Sequence, residues 1–124
     1  PEIVGHLIDR LLAAGADDAW ATPIVMKKSR PGVLLEALVA PDRAGAIREI
    51  IGRETGTLGV RETHVTKHVQ PRHVDIVDVD GSQVRVKVGP HGAKPEHDDL
   101  VALAAATGRP LRELAAEVLR RHGR

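Results

Sequence analysis

Three cations fall within four residues at Lys27, Lys28 and Arg30, in a stretch running Lys27-Lys28-Ser29-Arg30-Pro31-Gly32. Like charges this close repel one another unless solvent or an anion screens them. Two readings stay open. A solvated turn between strands accounts for the charges. So does a phosphate or carboxylate site, because guanidinium forks and ammonium point charges both bind phosphate. A second cationic loop runs Arg53-Glu54-Thr55-Gly56-Thr57-Leu58-Gly59-Val60-Arg61, with two threonines and two glycines between its arginines. Backbone donors and hydroxyls in such a loop can form an anion nest, although a helix-ending glycine followed by an ordinary turn explains it as well. The loop is not a Walker motif, since the Gly-Lys-Ser/Thr ending is missing.

The acidic and imidazole groups offer less. Lys94-Pro95-Glu96-His97-Asp98-Asp99 opens a helix, where acids complement the positive end of the helix dipole. Glu96 and Asp99, three apart, share a helix face and form the candidate pair for a hard cation such as Mg²⁺. His64 and His68 project from one face of a candidate strand, about 13 Å apart, too far to share one metal ion without a bulge. The remaining histidines, His6, His73, His91, His97 and His122, make no recognised ligand spacing. Asp75, Asp78 and Asp80 read as the wet side and turn of a hairpin.

The elements that must position these groups follow from periodicity. Ile3, Val4, Leu7, Ile8, Leu11 and Leu12 predict a helix that Gly15 ends. Ala19 to Met26 and Val33 to Val39 predict two strands flanking the cationic turn. Pro41-Asp42 opens a second helix, with Ala44, Ile47, Ile50 and Ile51 on one face, that runs out at Thr55-Gly56. Val60 to Val69 predicts a further extended strand. Val74 to Val79 and Val84 to Val88 flank Asp80-Gly81, a strong hairpin signal. Gly89 to Ala93 reads as a loop, and Pro95 as the first residue of a helix that Gly108 ends. Pro110 starts a last helix carrying Leu111, Leu114, Val118 and Leu119.

The expected fold class is therefore α+β: a ferredoxin-like unit whose opening strand is missing, over residues 1–70, then a β-hairpin and two helices over 71–124. A chain that opens on a helix and lacks a sheet strand is expected to be cut from a longer parent. The 124 residues include 18 Lys plus Arg against 17 Asp plus Glu, a net charge of +1. That balance argues against a nucleic-acid partner, and so does a single Trp with no Phe or Tyr to stack bases. With no cysteine, disulfides, thiolate zinc sites and a Cys nucleophile are excluded together. No apolar run approaches the roughly 20 residues of a membrane span, so no membrane partner is expected and a cytoplasmic location is.

Taken in order, Ala14-Gly15-Ala16-Asp17-Asp18-Ala19-Trp20, Thr22-Pro23-Ile24, Met26-Lys27-Lys28-Ser29-Arg30-Pro31-Gly32, Glu54-Thr55-Gly56-Thr57-Leu58-Gly59-Val60-Arg61, Val84-Arg85-Val86-Lys87 and Lys94-Pro95-Glu96 form a composite. This string resembles the C-terminal domain of the nickel-insertion proteins of lactate racemase cofactor biosynthesis, over nearly the whole chain. The resemblance implies a nickel cyclometallase of the lyase class, which inserts Ni²⁺ into pyridinium bisthiocarboxylate mononucleotide. It implies consumption of CTP to CMP and pyrophosphate with Mg²⁺ or Mn²⁺, and assembly as a homo-oligomer, trimer or hexamer. An N-terminal domain or partner chain would complete the enzyme.

On that resemblance, Lys27, Lys28 and Arg30 meet phosphates, and Thr55, Thr57 and Arg61 form an opposing wall. Lys87 and Lys94 are further phosphate candidates, and Glu96 and Asp99 the metal candidates. Cations of this kind stabilise charge on a phosphate and on leaving pyrophosphate during nucleotidyl transfer. The chain departs from the family in three respects. The strand before the first helix, with its Asn and paired Asp residues, is missing, as is the large N-terminal domain. Gly56 stands where the family usually has Thr, which removes one hydroxyl, and His97 where an aromatic is common. A non-catalytic oligomerisation module is the alternative, since Val33 to Val39 is apolar on both faces apart from Glu36.

Overall fold

The computed structural model describes residues 2–123. The chain folds as two compact units, residues 1–64 and 65–124, each with a hydrophobic core of its own.

In the first unit helix α1 (Glu2–Ala13) precedes strand β1 (Asp18–Met26), which pairs antiparallel with β2 (Arg30–Leu38), and helix α2 (Ala44–Thr55) follows. Leu7 and Leu11, four apart on α1, are buried against Ala16, Ala19 and Ile47. The end of α1 is set by Gly15, whose φ is 101°. Glycine adopts such a backbone at no steric cost. The Gly15 amide donates to the Leu12 carbonyl at 3.1 Å and the Ala16 amide to that of Leu11 at 3.0 Å. This pair of bonds satisfies carbonyls that the helix end would otherwise orphan, and it brings Ala16 against Leu11. The chain is thereby aimed into β1. Only the base of the hairpin reaches the core, through Ala19, Leu35 and Ala37. Trp20, on the opposite face of that base, and Ile24, Val25, Met26, Val33 and Leu34 beyond it lie exposed.

In the second unit β3 (His73–Val79), β4 (Ser82–Gly89) and β5 (Gly92–Pro95) form an antiparallel meander in the order β3-β4-β5. Asp80 and Gly81 both adopt positive φ, 53° and 82°. That geometry matches the twist of two hairpin strands. Alternation then sends Val77, Val79, Val84 and Val86 inward, onto Leu100 and Leu103 of α3 (His97–Thr107) and Leu114 and Val118 of α4 (Leu111–His122). Burying each of these side chains contributes about 1.5–3 kcal/mol.

Three expectations are corrected. Residues 60–69 join neither sheet among the described residues. Their β-branched content favours a strand, but a strand needs a ladder partner, and no described segment pairs with this one. Gly89 to Ala93 is not a plain loop. Gly92 starts β5, which sequence reasoning missed because Gly-Ala-Lys-Pro contains no β-branched or aromatic residue. Pro95 does not open α3 but ends β5, where an edge strand tolerates its missing N–H. The Glu96 amide extends the ladder by donating to the Arg85 carbonyl at 2.8 Å before the helix begins at His97.

Candidate functional site

Met26 and Arg30 form the last pair of the β1–β2 ladder, so Lys27–Ser29 is the loop that closes it. Lys28 and Ser29 both sit at positive φ, 63° and 57°. Two adjacent non-glycine residues in the left-handed region cost about 1 kcal/mol or more each, and such strain gathers at functional sites. Gly and Asn are the residues that relieve it. Here the chain holds a lysine and a serine instead, on an exposed tip. Lys27, Lys28 and Arg30 have no carboxylate partner within 4.0 Å among the described residues. The tip is an exposed triple cation with no carboxylate beside it among the described residues.

The Thr55–Arg61 loop is ordered by its own side chains. Thr55 Oγ1 donates to the Ile51 carbonyl at 2.6 Å and accepts the Thr57 amide at 3.1 Å. Thr57 Oγ1 donates to the Gly59 carbonyl at 3.0 Å. Both hydroxyls thus shape the loop, and an anion would compete with these bonds. Arg61 is exposed and unpaired among the described residues. Among those residues no hydrogen bond or ion pair joins this loop to the tip cations.

On the second unit, Arg85 and Lys87 project from one face of β4, and Lys94 stands opposite Lys87 across the ladder. Lys87 Nζ lies 2.7 Å from Glu96 Oε2, and this contact holds the Glu96 carboxyl below its ordinary range. Arg85 forks onto Asp99, Nε to Oδ2 at 2.9 Å and Nη2 to Oδ1 at 2.8 Å. The Arg85 amide also donates to Oδ2 at 2.9 Å. These donors favour the charged carboxylate and bring Asp99 down to about 2. Lys94 alone of this cationic face has no carboxylate partner among the described residues.

The donors at Glu96 and Asp99 do not fit a divalent cation. Glu96 is the N-cap and not a helical residue, so the expected shared helix face does not form. Both carboxylates are taken by cations. No group of three or more His, Asp or Glu side chains among the described residues is arranged to hold a metal ion.

Two further charged clusters escaped sequence reasoning. His122, on the last turn of α4, places Nε2 2.8 Å from Asp75 Oδ2, and His73 approaches the same oxygen at 3.5 Å. The His122 bond holds the Asp75 carboxyl below its ordinary range. Glu117, buried, joins Arg121 at 2.6 Å and also Arg109, which in turn reaches Asp80. Glu117 and Arg121 are one turn apart on α4, whereas Arg109 with Asp80 and His122 with Asp75 are 29 and 47 residues apart and meet only through packing. A surface hollow bordered by Asp75, Asp78, Arg121 and His122 lies beside them.

The order and pairing of these elements define a mixed α+β domain, with its cationic groups on a hairpin tip and on a sheet face. A solved structure described as the C-terminal domain of a cyclometallase involved in the synthesis of the NPN cofactor of lactate racemase, apo form, matches with a TM-score of 0.90. That match has 31% identity and covers 99% of this chain and 88% of that one. The family model for nickel insertion protein matches residues 1–115. The pyridinium-3,5-bisthiocarboxylic acid mononucleotide nickel insertion protein of Nocardioides sp. (strain ATCC BAA-499 / JS614) is 44% identical, over 98% of this chain and 32% of that protein. A putative nickel insertion protein of Myxococcus xanthus (strain DK1622) is 45% identical, over 94% of this chain and 31% of that protein. The chain belongs to the nickel insertion protein family and spans about a third of the length of these relatives.

Proposed function

We propose that this chain is the CTP-binding domain of a nickel-insertion enzyme that makes the nickel-pincer nucleotide cofactor of lactate racemase. The observation that supports this most is the strained, uncompensated cationic tip, Lys27–Arg30, within a fold that matches the cyclometallase domain. Lys27 and Lys28 would meet triphosphate oxygens as point charges, and Arg30 as a fork. Arg61 would add a fourth cation, and the Thr55 and Thr57 hydroxyls would have to exchange their bonds to the Ile51 and Gly59 carbonyls for phosphate oxygens. On the second unit, Lys94 is the freer phosphate candidate, because Lys87 is held by Glu96.

In this reading the cations stabilise the charge that moves onto the departing pyrophosphate when a substrate thiocarboxylate takes the cytidylyl group of CTP, CMP then leaving as the activated group is displaced. Mg²⁺ or Mn²⁺ would arrive with the nucleotide, and its ligands are not assigned to Glu96 or Asp99. Ni²⁺ and pyridinium bisthiocarboxylate mononucleotide are substrates. Cyclometallation, a lyase reaction, would need the rest of the longer enzyme, and a cytoplasmic location suits such a nucleotide-dependent step. No helix among the described residues is long and apolar enough to cross a membrane. Calorimetric titration of CTP with Mn²⁺ into the wild type, Lys28→Ala and Arg61→Ala tests the assignment. Binding by the wild type that weakens in both variants is expected; unaltered binding in both sinks the site.

A second reading is an oligomerisation module, a homo-oligomer built as a trimer or hexamer. The exposed apolar hairpin favours it: Val25 is 80% exposed, Val33 53% and Leu34 41%. Apolar patches left open in this way mark interaction surfaces. Light scattering decides, and a strict monomer would remove this reading.

A further inference from the structure

The sequence has one Trp and no Phe or Tyr. An indole gains most from burial, yet Trp20 is 40% exposed on β1. Its Nε1 donates to Glu36 Oε2 at 2.9 Å, and the two residues stand opposite one another across the β1–β2 ladder. That bond uses the one polar atom of the ring, so the surface left open is π-electron-rich carbon. Glu36 in turn has no cation within 4.0 Å among the described residues. An indole tethered beside an unanswered carboxylate is suited to a flat cation.

The surroundings fit such a ligand. Residues opposite one another in a ladder share a face, which puts Ile24, Leu34 and Arg30 on the Trp20 side of the sheet. Ala19, Leu35 and Ala37 take the other side, toward the core. Ile24 and Leu34 are exposed and extend the apolar surface beside the indole. A strand added beside β2 would lie in the plane of the sheet and leave this face open. Toward the tip the face ends at Arg30, about 20 Å along the strand from Trp20. A cationic side chain, a triphosphate and a substituted aromatic ring laid end to end fill such a span.

We propose that Trp20 and Glu36 seat the pyridinium ring of the substrate. The indole stacks on the electron-poor ring, and the carboxylate answers its positive nitrogen. The proposal rests on the nickel-insertion reading above, which supplies a pyridinium mononucleotide as substrate, and it names the residues that hold the ring. With the nitrogen at Glu36, the thiocarboxylates point away from that carboxylate and along the face toward Arg30. There they face the cations assigned to the triphosphate.

With one Trp and no Tyr, the intrinsic fluorescence of the chain reports Trp20 alone. Nicotinic acid mononucleotide, a pyridinium mononucleotide with a ring carboxylate, is titrated into the wild-type chain. Nicotinic acid, uncharged at its ring nitrogen at neutral pH, is the control. Saturable quenching at unchanged fluorescence lifetime is expected for the mononucleotide, and none for nicotinic acid. Calorimetry then compares Trp20→Leu with Glu36→Gln, whose amide oxygen still accepts the indole N–H. Both are expected to bind the mononucleotide on the order of tenfold more weakly, with unchanged circular dichroism. Linear quenching that shortens the lifetime, equal quenching by nicotinic acid, or undiminished affinity in Glu36→Gln overturns the seat. CTP titrated into the same wild type keeps the two claims apart. CTP binding without mononucleotide binding overturns the seat and leaves the nucleotide reading, and mononucleotide binding without CTP does the reverse. Saturable quenching by CTP alone gives Trp20 to cytosine and also overturns the seat.

Discussion

Asp99 accepts three hydrogen bonds from Arg85, two from the guanidinium and one from the backbone amide. The start of α3 is thereby tied to the middle of β4. Because the donors favour the charged carboxylate, the folded state holds Asp99 at about 2, against an ordinary 3.8. A depressed carboxylate stabilises the fold above its unfolded pKa, and that contribution is lost as pH falls through the folded one.

Asp99→Asn is therefore expected to lower the melting temperature by a few degrees at pH 7. The gap should close as the pH is lowered from about 4 to about 2, where the wild-type carboxylate takes up its proton. Melting curves across that window check it. A gap that stays constant throughout the window would mean that the side chain contributes shape and not charge.

Lys28→Gly separates strain from charge. Lys28 sits at a φ of 63°. Glycine accepts this freely, so the variant is expected to be more stable by about 0.5–1 kcal/mol. On the proposed assignment the same change would remove a phosphate contact and should weaken CTP binding on the order of tenfold. Chemical denaturation and calorimetry read the two effects separately. A variant that is both stabler and undiminished in binding would show the tip to be only a turn.

Leu114 is fully buried between α4 and the three-stranded sheet. Leu114→Ala should cost about 2–5 kcal/mol, because the lost transfer energy adds to the cavity left behind. Since the two cores share no residue, hydrogen exchange should rise in 73–122 and stay unchanged in α1 and α2. Equal loosening of both units would argue that they unfold as one.

Glu117→Gln tests the cluster on α4. Arg109 and Arg121 both hold this carboxyl below its ordinary value. The wild type should lose stability as Glu117 protonates in acid, and the variant should melt lower at pH 7 with a flatter acid limb. Parallel pH profiles for the two proteins would contradict the assignment.

The hairpin around Asp80-Gly81 was legible because local chemistry alone specifies it, a positive-φ pair between two alternating valine runs. The ends of α1 and α3 were legible for the same reason, at Gly15 and Gly108. β5 was not, since Gly92–Pro95 becomes a strand only by lying against β4. Residues 60–69 show the converse, a local preference that no strand among the described residues pairs. At the site, the cations at 27, 28 and 30 stood out by spacing. Arg85 as the holder of Asp99 did not, because the two are joined across a strand edge and not within one element. The strain at Lys28 and Ser29 was likewise invisible, since neither residue signals positive φ.

The central claim is tested most directly by titrating CTP into the 124-residue chain in the presence of Mn²⁺, with ATP and GTP as controls. Saturable binding of CTP, absent without the divalent ion and much weaker for ATP and GTP, is the result predicted. Equal affinity for all three, or no heat with any of them, would contradict the assignment of this chain as a CTP-binding domain.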